Sequence, residues 1–294
     1  MSAPATATAP DWELDYYSRP IVEADGKKRW ELLICSTPAP GASQPAFQWV
    51  QPCGAGSVNS IWLREALEQA IAAAETQGIG RPRRLRCWRG AMRTMVQRAA
   101  EGLGLELVPS RRCYALVSWL QERERTVYPA EAGYLAGPLA PPPEPIRPLA
   151  LPLPETARGD SWGWATLQLG QLTEASEWSI DFAGLTPLPP ELDPTTVVPG
   201  IRLFGGNRAL AIAGWVAGLE PVRLEVDGRQ LVLEAGLDDR WLLSDLSAED
   251  APQAAAALQD ARQQAGGLQF LAVQASPSDQ RFTGFWMLRD LPDS

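Results

Sequence analysis

The sequence predicts a two-domain α+β protein, with strands and helices mixed along the chain. Three observations predict it. Residues 11–128 read in the order βββ-α-β-α-β-α, residues 160–294 contain an α-βββ-α-ββ run, and a proline-rich stretch lies between them. At 294 residues the chain is long enough for two cores of ordinary size. The expected boundaries are a short disordered tail at 1–10, a basic domain at 11–128, a linker at 129–159 and an acidic domain at 160–294.

The first domain opens with WELDYYSRPIV, rich in aromatic and β-branched residues, then the hairpin turn signal Asp25-Gly26, then KKRWELLIC. FQWVQP, Phe47 to Pro52, gives a third strand. Asn59 and Ser60 are cap candidates for a helix to about Gln77, whose apolar stripe is Leu63, Leu67, Ile71 and Ala74. Gly78 and Gly80 stop it. Arg83 to Arg89 reads as a strand and Ala91 to Gly102 as a helix; Leu105 to Pro109 is a strand and Cys113 to Arg125 a helix. This order is that of a ribonuclease-H-like fold, an analogy that fixes no function.

Nine prolines between Pro129 and Pro154 favour an extended spacer that joins neither ladder nor helix. In the second domain, strands are expected near Trp178–Phe182 and Ile201–Phe204. Asn207 is a candidate cap for the helix RALAIAGWVAGL. PVRLEVDGRQLVLEAG forms a hairpin about Asp227-Gly228, with Arg240–Leu246 as its third strand. A helix from Ala251 to Ala265 tolerates Pro252 in its first turn and ends at Gly266-Gly267. LQFLAVQ and TGFWMLRD are the closing strands.

Composition removes several function classes. There is no histidine, so imidazole-based catalysis is excluded. Lys27 and Lys28 are the only lysines, so no phosphate-loop GK[ST] motif exists. The four cysteines have no CxxC spacing and read as buried thiols of a reducing compartment. No apolar run approaches the roughly 18 residues of a membrane span, so no membrane insertion is expected. The opening MSAPATATAP lacks the features of a secretory or transit peptide, and the expected location is cytoplasmic. No cofactor and no metal site is expected.

Charge is divided unevenly. The net charge is −9, yet residues 11–128 hold 16 Lys/Arg against 13 Asp/Glu, and residues 160–294 hold 8 against 19. A polyanion is steered toward the first domain. Its most basic stretch is RPRRLRCWRGAMR, with Arg81, Arg83, Arg84, Arg86, Arg89 and Arg93 around Trp88 and no acid. Guanidinium groups interleaved with an aromatic suit phosphate contacts and base stacking. The competing reading is a strand whose arginines are solvated or paired. On a strand, Arg84, Arg86 and Trp88 share one face, so Trp88 stacks on a base only if no helix covers that face.

Nuclease chemistry needs carboxylates converging on metal ions. Asp15 and Glu65 are candidates in the first domain, but Arg89 stands where a third acid is wanted. Substitution of Asp15 by Asn is therefore expected to leave RNA binding intact. Glu220, Asp227 and Glu234 invite a restriction-endonuclease-like reading of the second domain, which lacks the lysine that such sites use.

WELDYYSRPI, GKKRWELLIC and SVNSIWL in the first domain, and AGLDDRWLLSD, GLQFLAVQASP and GFWMLRD in the second, resemble the translation-activator family of the photosystem I PsaB subunit. These blocks run from Asp11 to Asp290 in the family's order. The resemblance implies a non-catalytic RNA-binding protein acting on a photosystem messenger leader, with translation or assembly proteins as further partners. The absence of a transit-like opening suggests a cyanobacterial-type, cytoplasmic member. The RNA contacts are chosen on physical grounds: Arg81, Arg83, Arg84, Arg86, Arg89 and Arg93 for phosphate and Trp88 for a base, with Arg19, Lys27, Lys28 and Arg29 in support. Tyr16, Trp241 and Trp286 read better as core than as platform. The alternatives are a protein-binding assembly scaffold and a degenerate nuclease.

Overall fold

A computed structural model describes residues 10–39, 42, 44–136 and 148–289. The expected tail, apart from Pro10, and the centre of the expected linker lie outside them. The chain divides into two compact units, one ending near residue 144 and one beginning near 145.

In the first unit β1 (Asp11–Val22), β2 (Lys28–Ser36) and β3 (Gln48–Cys53) form an antiparallel meander. Gly26 holds φ at 79° in the first turn, a conformation that favours glycine. Then come α1 (Ser60–Thr76), β4 (Arg84–Cys87), α2 (Arg93–Glu101), β5 (Glu106–Pro109) and α3 (Tyr114–Thr126). β4 lies parallel to β1 and β5 parallel to β4, giving the sheet order β3-β2-β1-β4-β5. That is the ribonuclease-H-like arrangement expected from the element order.

Strand alternation assigns the two faces of this sheet. Trp12, Leu14, Tyr16, Leu32, Ile34, Leu85 and Cys87 pack under the α1 stripe of Leu63, Leu67, Ala70 and Ala74 and under Val96, Ala99 and Ala100 of α2. Full burial of a leucine such as Leu63 contributes about 1.5–3 kcal/mol, so this layer dominates the unit's stability. The Asn59 side chain accepts from the Ile61 and Trp62 amides and caps α1, as expected. β4 is shorter than the expected Arg83–Arg89, because a 3-10 turn begins at Gly90.

The proline-rich stretch is shorter as a spacer than expected. Tyr134 bridges to Ile21, the Val22 amide donates to the Gly133 carbonyl at 2.8 Å and the Leu135 amide to the Pro20 carbonyl at 2.9 Å. At its other end β6 (Leu151–Pro152) adds to a sheet of the second unit as an edge strand, where a missing proline N–H is tolerated.

The second unit continues with β7 (Ser161–Gln168), α4 (Leu169–Thr173), β8 (Ile180–Gly184), β9 (Val197–Phe204), α5 (Ala209–Leu219), β10 (Pro221–Asp227), β11 (Gln230–Ala235), β12 (Asp239–Asp245), α6 (Asp250–Gln264), β13 (Leu268–Gln274) and β14 (Phe282–Arg289). Its sheets are ordered β7-β9-β13-β14-β8 and β10-β11-β12-β6. From α5 onward this is the α-βββ-α-ββ run read from sequence. Gly228 turns the hairpin with φ at 59°, and Gly266 and Gly267 stop α6. Asn207 does not cap α5: Gly206–Arg208 make a 3-10 turn that places Arg208 at the helix start with no side-chain cap.

Candidate nucleic-acid interface

The face of the first sheet opposite α1 and α2 is ionic. The same alternation that sends Trp12, Leu14 and Tyr16 into the core sends Asp11, Glu13 and Asp15 to the other side of β1. Parallel register sets Asp11 beside Arg84 and Glu13 beside Arg86. Opposite charges placed directly across neighbouring strands pair. The Arg86 guanidinium lies 3.2 Å from Asp11 and 3.4 Å from the Thr37 hydroxyl, and Arg84 lies 3.7 Å from Asp11 and 3.5 Å from Glu106. The strand arginines thus hold the sheet together, which corrects their assignment as open phosphate contacts.

Asp15 is the centre of this face. It is fully buried and accepts from Arg19 at 2.8 Å, from Arg89 Nε at 2.6 Å and from the Trp88 indole N–H at 3.2 Å. Burial alone would raise its carboxyl. The charges and hydrogen bonds of Arg19 and Arg89 outweigh that and hold it below its ordinary 3.8. Arg19 also faces Glu31 at 3.4 Å, and Glu31 accepts from the Tyr128 hydroxyl at 2.8 Å and pairs with Arg123 at 3.3 Å.

Glu13, one strand step away, accepts from the Leu116 amide at the start of α3 at 2.9 Å. Burial pushes its carboxyl up to about 7 despite that bond and the nearby Arg86. Among the described residues no group of three or more His, Cys, Asp or Glu side chains is placed to hold a metal ion.

Two of the expected contacts fail outright. Trp88 is 5% exposed with its N–H committed to Asp15, so it offers no ring face for a base. Arg19 is 3% exposed and is consumed by Asp15 and Glu31. Others are occupied at the surface: Arg81 donates to the Leu103 carbonyl, Arg29 pairs with Glu23 and Glu131, and Arg83 stands 3.7 Å from Asp11. Tyr16 and Trp286 are core, and Trp241 packs edge-on against Trp215. In the second unit, Glu234 pairs with Arg223 at 3.1 Å and Asp227 with Arg240 at 2.7 Å.

Past the end of β4 the balance changes. Arg93, exposed at the start of α2, has no ion pair among the described residues, and neither has Lys28 at the β1–β2 turn; Lys27 has a loose one, 3.9 Å from Asp25. Arg89 keeps its two terminal nitrogens without a partner among the described residues. Its Cζ lies 4.2 Å from the Tyr17 ring centroid and 4.5 Å from that of Trp88. Sequence reasoning set Arg89 beside Asp15 but missed Asp11, Glu13 and Tyr17 as partners of the basic stretch. The signal was the acid alternation in DWELD, which matches the alternation in RLR.

Comparison with known proteins supplies the family. Residues 11–123 match the model of the RNA-binding protein Tab2/Atab2 N terminal region, and residues 141–289 match that of the RNA-binding protein Tab2/Atab2 C-terminal domain. A chloroplastic protein TAB2 homolog of Zea mays is 38% identical over 300 aligned positions, covering 96% of this chain and 72% of its own length. A chloroplastic protein TAB2 homolog of Arabidopsis thaliana is 32% identical, covering 96% of this chain and 75% of its own. With both units matched and most of each relative covered, the chain belongs to the Tab2/Atab2 family of RNA-binding proteins.

Proposed function

We propose that this protein binds single-stranded RNA without cleaving it and promotes translation of a photosystem messenger of the PsaB type by holding its leader. RNA lies on the first unit past the end of β4, along the second half of β1 toward its turn into β2. The phosphate contacts are Arg89 and Arg93, with Lys27 and Lys28 at the hairpin turn. Translation or assembly proteins are its further partners, and four free buried thiols fit a reducing compartment.

The observation that carries this reading is the division among the basic residues. Those on β4 are spent on carboxylates of the same unit, whereas just beyond its end Arg89 engages Asp15 through Nε alone and Arg93 has no ion pair among the described residues. Unspent cations at the carboxyl ends of parallel strands form the electrostatic footprint that a polyanion needs. The non-catalytic part of the proposal rests on Asp15. A buried carboxylate that already faces two guanidinium groups and accepts three hydrogen bonds is a poor ligand for a cation, because those guanidinium groups repel it.

The test is fluorescence-anisotropy binding of a labelled photosystem I leader RNA at two salt concentrations. Wild type is run beside the triple variant Lys27→Gln/Lys28→Gln/Arg93→Gln. Each phosphate contact contributes a slope of about −0.7 in log K against log salt for single strands, so the triple variant should flatten the slope by about 2. An unchanged slope would move the RNA elsewhere. Overnight incubation with magnesium or manganese should leave the RNA intact; protein-dependent cleavage would contradict the non-catalytic reading.

A further inference from the structure

We infer that Arg89 is a fixed fork that takes one RNA phosphate through both of its terminal nitrogens, and that Asp15, Tyr17 and Trp88 are the positioning residues that fix it. The inference rests on the RNA-binding reading and names the group within that surface.

The geometry assigns a separate task to each part of the guanidinium. Nε is committed to Asp15 at 2.6 Å, which sets the rotation of the group. Two aromatic rings lie within cation–π distance of Cζ, at 4.2 and 4.5 Å, and limit how far it tilts. Trp88 is itself held by its N–H bond to the same Asp15 oxygen that Nε uses. What remains is the far edge of the guanidinium, with two nitrogens side by side and no partner among the described residues. That edge is the bidentate donor pair that matches two phosphate oxygens.

The charge balance of the cluster points the same way. Arg19, Arg89 and Arg123 converge on Asp15 and Glu31, so three cations share two anions and one positive charge is left over. The side chains of Asp15, Arg19 and Glu31 are 0 to 2% exposed, Arg123 is 13% exposed and Arg89 is the most open at 18%. Arg123 spends its Nε on the Tyr128 hydroxyl and a terminal nitrogen on Glu31. The surplus therefore reaches solvent at Arg89. A carboxylate that would hold a metal ion in a nuclease here orients a cation toward the nucleic acid instead.

The experiment compares Arg89→Lys, Arg89→Gln, Tyr17→Phe and Tyr17→Leu with wild type in RNA anisotropy over a salt series, with a thermal melt to confirm folding. A fork requires Arg89→Lys to fail as badly as Arg89→Gln, each losing about tenfold in affinity. It also requires the salt slope to flatten by about 0.7 in both. Tyr17→Phe keeps a ring face and should bind as wild type, and Tyr17→Leu should lose several-fold. Arg89→Lys binding like wild type would overturn the fork and leave a simple point charge. Unchanged binding in all four variants would overturn the site while the RNA reading stood.

Should the Arg89 variants fold poorly, the Tyr17 pair decides. Should wild type bind no RNA, the functional reading falls and the fork is tested alone. Inorganic phosphate is then titrated against wild type while the Arg89 Nε–H resonance is followed. A saturable shift supports the fork, and no shift overturns it.

Discussion

Substitution of Asp15 by Asn tests the ionic face most severely. Asn keeps the shape of the side chain but removes the charge and turns one acceptor into a donor. Three donors now meet on Asp15: Arg19 at 2.8 Å, Arg89 Nε at 2.6 Å and the Trp88 indole at 3.2 Å. Arg89 is open enough to find water after the change. Arg19 is 3% exposed and would be left to share Glu31 with Arg123. Breaking a buried pair by removing one partner costs about 3–5 kcal/mol, because the surviving charge stays desolvated. With Arg89 relieved by solvent, the lower end, about 3 kcal/mol, is the expected loss from the first unit. Because the Asp15 carboxyl is held below its ordinary 3.8 in the fold, its contribution is present above that value and fades as pH falls through the folded value. The variant should therefore differ most from wild type near neutrality and least in strong acid. Urea denaturation followed by tryptophan fluorescence, at neutral pH and in acid, measures both. A neutral-pH loss under about 1 kcal/mol would refute the reasoning, since Arg19 would then be stable without its partner. The same variant releases Arg89 Nε, so RNA affinity should fall. The sequence alone led to the opposite expectation, because it did not reveal what Asp15 holds.

Glu13→Gln should flatten part of the pH dependence of stability. The Glu13 carboxyl rises from 4.5 to about 7 on folding, so its contribution is fully present below 4.5 and is lost as pH rises toward 7. The 2.5-unit rise corresponds to at most about 3 kcal/mol, read as the wild-type-minus-variant difference in urea midpoints from pH 4.5 to 8; no trend in that difference would contradict the assignment. All four thiols are buried, and burial pushes Cys87 up to about 12 and Cys35 and Cys113 well above their ordinary range. A thiol reagent at pH 8 should react slowly with the native protein and titrate all four only in denaturant, so one fast thiol would argue against the packing. Gly133→Ala should destabilise the first unit by about 1–3 kcal/mol, since φ is +81° and the new Cβ meets the Val22 carbonyl at 2.1 Å. An unchanged urea midpoint would mean that residues 128–135 are not tied to β1 as described.

Local chemistry made much of the fold legible. The Asp25-Gly26 and Asp227-Gly228 turns, the Asn59 cap and the α1 stripe are each encoded within a few residues, and each formed as expected. The fate of the arginines was not local. Arg84 meets Asp11 only because β4 inserts beside β1, joining residues that are far apart in sequence. Trp88 lay on the face that alternation gave it, but Asp15 on the neighbouring strand drew its N–H inward. Asn207 lost its capping role to the 3-10 turn that follows Gly205, a geometric choice that no side chain announces. The proline-rich stretch read as a spacer from composition, yet its ends found backbone partners on neighbouring strands.

Ultraviolet crosslinking of the full chain to a single-stranded leader RNA, with the crosslinked peptides located by mass spectrometry, tests the central claim most directly. Adducts concentrated in residues 11–30 and 88–98, and reduced by high salt, are the result that RNA lying on the first unit past the end of β4 predicts. Adducts confined to residues 160–289 would contradict it and move the RNA to the acidic unit.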